Sequence, residues 1–280
     1  MNDVLWFNGR FTTTEERVLR VEDRGFLFGD AVYEVFKFFD RGPVFFREHW
    51  QRLVRGLDAI EIANPWDESS FTETMRGLIE RTAFDDGIVY IEVSRGDGER
   101  SHTWPDGMKP TAIAFSRRHT FPDATKKERG IRLVTEEDVR WRHCDVKSVN
   151  LLANILAKQK AQRAGGDEAL LVDDGVVREC SHSSFFIVKD ERVITHPLDC
   201  HVLPGVTRDR VIALAGDRIE ERYFGLAEVA GADEVFATST SLAVMPVRQI
   251  DDGPWRTRGS ITLELQRLLD DAERVSAHRL

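Results

Sequence analysis

The chain has 280 residues, of which 41% are hydrophobic and 31% charged, with a formal net charge of −9; this is the balance of a folded, soluble protein, and its acidity excludes the global footprint of a nucleic-acid binder. No run approaches the roughly 18 apolar residues of a membrane span. Cys144, Cys180 and Cys200 form no CxxC pair, which argues against a disulfide framework or an all-cysteine zinc site, and MNDVLWFNGRF lacks the pattern of a secretory leader, so the expected compartment is the cytoplasm.

In chain order, LWF and RFT flank Asn8-Gly9, a pair suited to a left-handed hairpin turn. Val32–Phe39 and Val44–Phe46 flank Asp40-Arg41-Gly42-Pro43 and predict a second hairpin. Leu53, Leu57 and Ile60 recur at helical spacing, as do Phe71, Met75, Leu78 and Ile79. Ile88–Ser94 and Ala112–Phe115 read as strands, and the aperiodic stretch between them is either an ordered functional loop or a floppy one. The polar segment 117–130 predicts a boundary, with an N-terminal domain over 1–118, a linker over 119–130 and a C-terminal domain over 131–280. Beyond it, Ile131–Thr135, Ala169–Asp173, Val176–Arg178, Phe185–Val188 and Glu234–Thr238 read as strands, and Asn150–Ala164, Arg208–Ala215 and Thr262–Val275 as helices. Without a regular βα alternation, the fold class is α+β.

Three features of the second half carry chemistry. In Cys144-Asp145-Val146-Lys147-Ser148-Val149-Asn150, Lys147 is expected at a strand end, before a helix capped by Ser148 or Asn150. Glu179 ends a strand and precedes Cys180-Ser181-His182-Ser183-Ser184. Leu203-Pro204-Gly205-Val206-Thr207-Arg208 leads into a helix, where Gly205 permits close approach to a ligand and the Val206 and Thr207 amides make an anion seat. Ser239 and Thr240, after a further strand, offer a second donor cluster. Each alone reads more readily as a surface lysine, a polar turn or plain capping. Together they are the parts that pyridoxal phosphate requires: an amine for its aldehyde, a carboxylate for its ring nitrogen and donors for its phosphate.

RGFLFGDAVYEVFK (24–37), EHWQRL (48–53), RWRHCDVKSVNLLANILAKQKA (140–161), LPGVTR (203–208) and DEVFATSTS (233–241) resemble the fold-type IV pyridoxal-phosphate enzymes, the branched-chain and D-amino-acid aminotransferase family. The resemblance implies a two-domain architecture with a smaller N-terminal domain and pyridoxal 5'-phosphate as cofactor. It makes Lys147 the imine-forming lysine and Glu179 the partner of the pyridine nitrogen. Arg52, Val206, Thr207 and Thr240 become phosphate ligands, and Leu203 packs on the ring. The sequence departs from the D-specific pattern after Glu179, where His182 either adjusts cofactor ionisation or fills space.

Arg100 and His102 stand two residues apart, so in an extended segment both side chains face one side. They read as a carboxylate clasp or as solvated loop residues, and Tyr33 as a cavity residue or a strand aromatic. The resemblance makes all three the trap for a substrate α-carboxylate, with Arg100 and His102 lent by the other subunit of a homodimer. It implies exchange of amino groups between D-amino acids and 2-oxo acids. The rivals on the same fold are a branched-chain L-aminotransferase, which lacks such an Arg-x-His loop, an R-selective amine transaminase and an aminodeoxychorismate lyase. A non-catalytic binding protein is disfavoured by intact Lys147 and Glu179.

Overall fold

A computed structural model describes residues 4–254, 256 and 258–277. The chain divides into two compact units: the first comprises the residues up to Thr120, Val146–Asn150 and the chain from Glu273, and the second comprises Phe121–Asp145 and Leu151–Ala272. The segment 119–130, expected as a linker, contains a helix, Ala124–Arg129. The linear division into 1–118 and 131–280 also gives way, because two later stretches of chain return to the first unit. The reasons are local: residues 147–149 pair with a strand there, and Glu273 meets Lys37 at 2.6 Å with both side chains buried.

The first unit holds β1 (Val4–Phe7), β2 (Arg10–Thr13), α1 (Arg24–Phe28), β3 (Ala31–Phe39), β4 (Gly42–Pro43), α2 (Phe46–Ala59), α3 (Glu68–Glu80), β5 (Gly87–Ser94) and β6 (Thr111–Arg117). Its sheet runs β2-β1-β6-β5-β3-β4. Asn8 and Gly9 take φ of 41° and 95° in the β1–β2 turn, as their types predict. The second hairpin is shorter than expected. Asp40 and Arg41 turn left-handed, and Phe45, also left-handed at φ 50°, swings the chain out of the strand and into α2. β5 alternates buried and half-buried residues over most of its length, while Leu53 and Leu57 of α2 and Phe71, Met75 and Leu78 of α3 share a core with Phe36 and Phe38.

The edge of β3 away from β5 is covered twice. β4 pairs with Phe38 and Phe39, and residues 147–149 pair with its beginning, where Tyr33 donates to the Lys147 carbonyl (2.9 Å) and Val149 to the Ala31 carbonyl (3.2 Å). Lys147 therefore sits in a short pairing segment rather than at the end of a strand. The following helix starts at Leu152 after Leu151, with no side-chain cap from Ser148 or Asn150. Asn150 instead donates to the Gly29 carbonyl.

The second unit holds α4 (Ala124–Arg129), β7 (Ile131–Glu137), α5 (Leu152–Arg163), β8 (Glu168–Asp173), β9 (Val176–Cys180), β10 (Ser184–Lys189), β11 (Arg192–Thr195), α6 (Val206–Ala215), β12 (Ile219–Glu221), α7 (Leu226–Ala230), β13 (Glu234–Ser239), β14 (Ala243–Ile250) and the part of α8 (Ser260–Ala277) that precedes Glu273. Its sheet runs β12-β11-β10-β13-β14-β7-β8-β9, with parallel pairs among antiparallel ones. The α+β reading stands. β14 escaped the periodicity reading because Pro246 interrupts it; the ladder with β7 shifts register just after that proline, between Val247 and Gln249. No described helix is long and apolar enough to cross a membrane.

Candidate active site

In the first unit, Tyr33 and Glu34 are neighbours on β3, and the strand's period puts Glu34 in phase with Val32, Phe36 and Phe38, on the buried side. A carboxylate there needs partners, and α2 supplies them one turn apart. His49 Nδ1 lies 3.0 Å from Glu34 Oε1; Arg52 Nε donates to Oε2 at 2.9 Å and Nη2 to Oε1 at 2.7 Å. Burial works to raise the Glu34 pKa, but Arg52 and His49 hold it well below the ordinary range. Burial, Arg52 and Lys147 keep His49 below its ordinary value against the pull of Glu34. Arg52, expected as a phosphate ligand, is thus a buried cation fixed from behind. Glu34 and His49 were not singled out in the sequence, although a charged residue in the buried phase of a strand is the signal for such a pair.

Lys147 is half-buried, its backbone held on β3 and its Nζ 4.1 Å from the centre of the Tyr33 ring. Arg100 and His102 lie in the exposed loop after β5 and meet on one aromatic: Arg100 is 5.4 Å from the centre of the Phe28 ring, and the His102 ring stands edge-on to it at 5.8 Å. Among the described residues, no hydrogen bond or ring contact joins Tyr33 to either of them.

In the second unit, Glu179 is buried on β9. Arg140 Nη1 donates to its Oε1 at 2.6 Å, and the Leu203 N–H reaches Oε1 and Oε2 at 3.3 and 3.2 Å. Arg140 is itself held by Asp138 and the His201 carbonyl. Burial pushes the Glu179 carboxyl above its ordinary range in spite of Arg140 and the Leu203 amide. Such a group gains from a further cation nearby. Arg140 was missed because nothing local marks an arginine between exposed Val139 and Trp141 as an inward-facing one.

Gly205 is the N-cap of α6, without a side-chain cap, so the amides of Val206 and Thr207 open the helix with no intrahelical acceptor. A Cβ at Gly205 would crowd Ser184 Oγ at 2.9 Å and Arg208 Cβ at 3.2 Å. Ser239 serves its own turn: its hydroxyl accepts from the Leu242 N–H and lies 3.3 Å from Ser241 Oγ. Thr240 follows it in the same turn. His182 is tied to buried Glu168, which also accepts from Ser181 and lies 3.4 Å from Lys158 Nζ. Its imidazole is thereby engaged with β8.

These donors fit pyridoxal phosphate. Thr238 Oγ1 is buried without a hydrogen-bond partner among the described residues, in the unit that also holds the open α6 amides and the carboxyl of Glu179. A buried hydroxyl of this kind is free to meet a polar ligand or an ordered water.

Residues 31–250 match the family model described as Amino-transferase class IV. The chain is 37% identical to the D-alanine aminotransferase of Bacillus licheniformis over 251 residues, covering 88% of this chain and 87% of that protein. It is 34% identical to the D-alanine aminotransferase of Staphylococcus epidermidis over 271 residues, 94% of this chain and 95% of the other. Its fold matches a T.th. branched-chain amino acid aminotransferase, solved with pyridoxamine 5'-phosphate, at a TM-score of 0.90 and 25% identity, over 98% of this chain and 95% of that one.

Proposed function

The chain belongs to the class IV amino-transferases, and from that membership we propose that it passes the amino group of D-amino acids, such as D-alanine or D-glutamate, to 2-oxo acids such as 2-oxoglutarate or pyruvate, in a ping-pong cycle. The observation that carries the D-specific reading is the exposed pair Arg100 and His102, presented together on Phe28, in a chain whose curated relatives are named for D-alanine.

Pyridoxal phosphate, when bound, supplies an aldehyde that condenses with amines and a protonated ring that accepts the electron pair left when the α-proton departs. Lys147 Nζ provides the resident amine. With the cofactor bound, Lys147 Nζ would be the base that takes up the α-proton and gives it back. Glu179 would keep the ring nitrogen protonated, with Arg140 and the Leu203 amide orienting its carboxylate. Val206 and Thr207 would hold the phosphate at the first turn of α6, with Ser239 and Thr240 as further donors and Gly205 leaving room for its approach. Arg52 adds charge to the phosphate seat, and Leu203 offers its apolar side chain to the ring.

Tyr33, Arg100 and His102 hold the α-carboxylate. We assign Arg100 and His102 to the site of a second copy of the chain. Their loop is exposed and carries Trp104, and α1 beneath it exposes Phe26, apolar surface of the kind that subunit interfaces cover. Three free thiols fit the reducing cytoplasm.

The test is the purified protein, loaded with cofactor, against D- and L-amino acids with 2-oxoglutarate and pyruvate. D-alanine, D-aspartate or D-glutamate should react well and their L-forms poorly. A preference for L-leucine or L-valine would falsify the D-assignment and favour the branched-chain alternative.

A further inference from the structure

We infer that Arg24 is a positioning residue for the substrate carboxylate: with Phe28 it holds Arg100 and His102 in register on their loop. The inference rests on the carboxylate role proposed above for those two residues.

Arg24 is buried, whereas the loop it serves is exposed. Its Nε donates to Asp30 Oδ2 at 2.8 Å. Its Nη1 donates to the Ser101 carbonyl at 2.6 Å and the Thr103 carbonyl at 3.4 Å, the two peptide oxygens that bracket His102. Its guanidinium also lies 4.8 Å from the centre of the Phe28 ring, the ring that Arg100 and His102 both meet. One side chain therefore fixes the loop backbone and the aromatic on which both candidate carboxylate ligands rest. Arg24 and Phe28 are four residues apart on α1 and so share a face.

The platform is braced by further contacts. Asp23 caps α1 through the Gly25 amide and accepts from Ser94 Oγ. Gly29, at φ 68°, ends the helix in the left-handed conformation. Asp30 is shared: Arg95 donates to it at 2.8 and 3.0 Å, reaches the Ile60 and Glu61 carbonyls at the end of α2, and lies 3.8 Å from the centre of the Trp104 ring. Although burial opposes it, Arg95 and Arg24 hold the Asp30 carboxyl below its ordinary pKa. Only a planar fork serves Asp30, two carbonyls and an aromatic face together; a lysine ammonium does not.

A positioning role differs from a merely structural one in its dependence on Arg100, which a double-mutant cycle reads directly. KM and kcat for D-alanine are measured in the holoenzyme for the parent, Arg24→Gln, Arg100→Ala and the double variant. Arg24→Gln should raise KM about tenfold with kcat within about twofold, and should change KM less than about twofold once Arg100 is gone. Equal losses in both backgrounds would overturn the inference. Phe28→Leu goes through the same cycle and decides the matter if Arg24→Gln does not fold; Phe28→Tyr, which keeps the ring, should restore the parent KM. Should Arg100→Ala leave KM for D-alanine unaltered, the carboxylate role itself fails, an outcome distinct from additive losses at Arg24.

Discussion

Glu34 is buried with two basic partners, and removing one member of such a group leaves a charge stranded out of water. Glu34→Ala should cost about 3–5 kcal/mol in denaturant unfolding. The pH dependence has a definite sign. Glu34 and His49 both have folded pKa values below their ordinary 4.5 and 6.5, so the unfolded chain binds more protons and stability falls as pH drops. The His49 contribution fades first, below 6.5, and the Glu34 contribution below 4.5. Thermal melts from about pH 8 to about pH 4 should show His49→Gln losing the upper part of that decline. At Glu179, a neutral amide cannot offset a protonated ring. Glu179→Gln should keep its cofactor yet slow the half-reaction with D-alanine on the order of 100-fold in single-turnover absorbance. Glu179 was legible in the sequence as a carboxylate at a strand end. Its partner Arg140 was not, because a side chain's direction out of an irregular segment follows from what packs around it.

At the scale of elements, helices with apolar repeats were readable, but their ends were not. The helix expected over Thr262–Val275 is α8, Ser260–Ala277, and its N-terminus is satisfied from another element. Glu234 on β13 accepts the Ile261 and Thr262 amides at 3.0 and 2.7 Å and the Thr262 hydroxyl at 2.6 Å. Gly259 is small to admit it, since a Cβ there would overlap the Glu234 carboxylate. Glu234→Ala leaves buried donors without an acceptor and should cost about 1–3 kcal/mol, read as a lowered midpoint in denaturant melts. α1 was missed for a related reason. Five residues show no period, and it is the Asp23 cap and Gly29 terminator that define it.

For the whole molecule, the proposed sharing of sites between two copies makes a sharp prediction. Lys147→Ala and Arg100→Ala homodimers should each be impaired, but half of randomly mixed dimers pair one of each, and those carry one complete site out of two. Refolding or co-expressing the two variants together should restore about one quarter of parental activity; sites built from a single chain would show no such rescue. The sequence alone singled out Lys147, Glu179, the glycine-led helix start and the Arg-x-His pair as candidates and gave most strands and helices, because each is written in neighbouring residues. Only the tertiary structure decided that Arg52 is backed by Glu34 and His49, that Glu179 faces Arg140, that His182 is tied to Glu168 and that Arg24 underlies the loop of Arg100. These contacts join side chains distant along the chain, and their hydrogen-bond directions exist only once the strands and helices that carry them have packed.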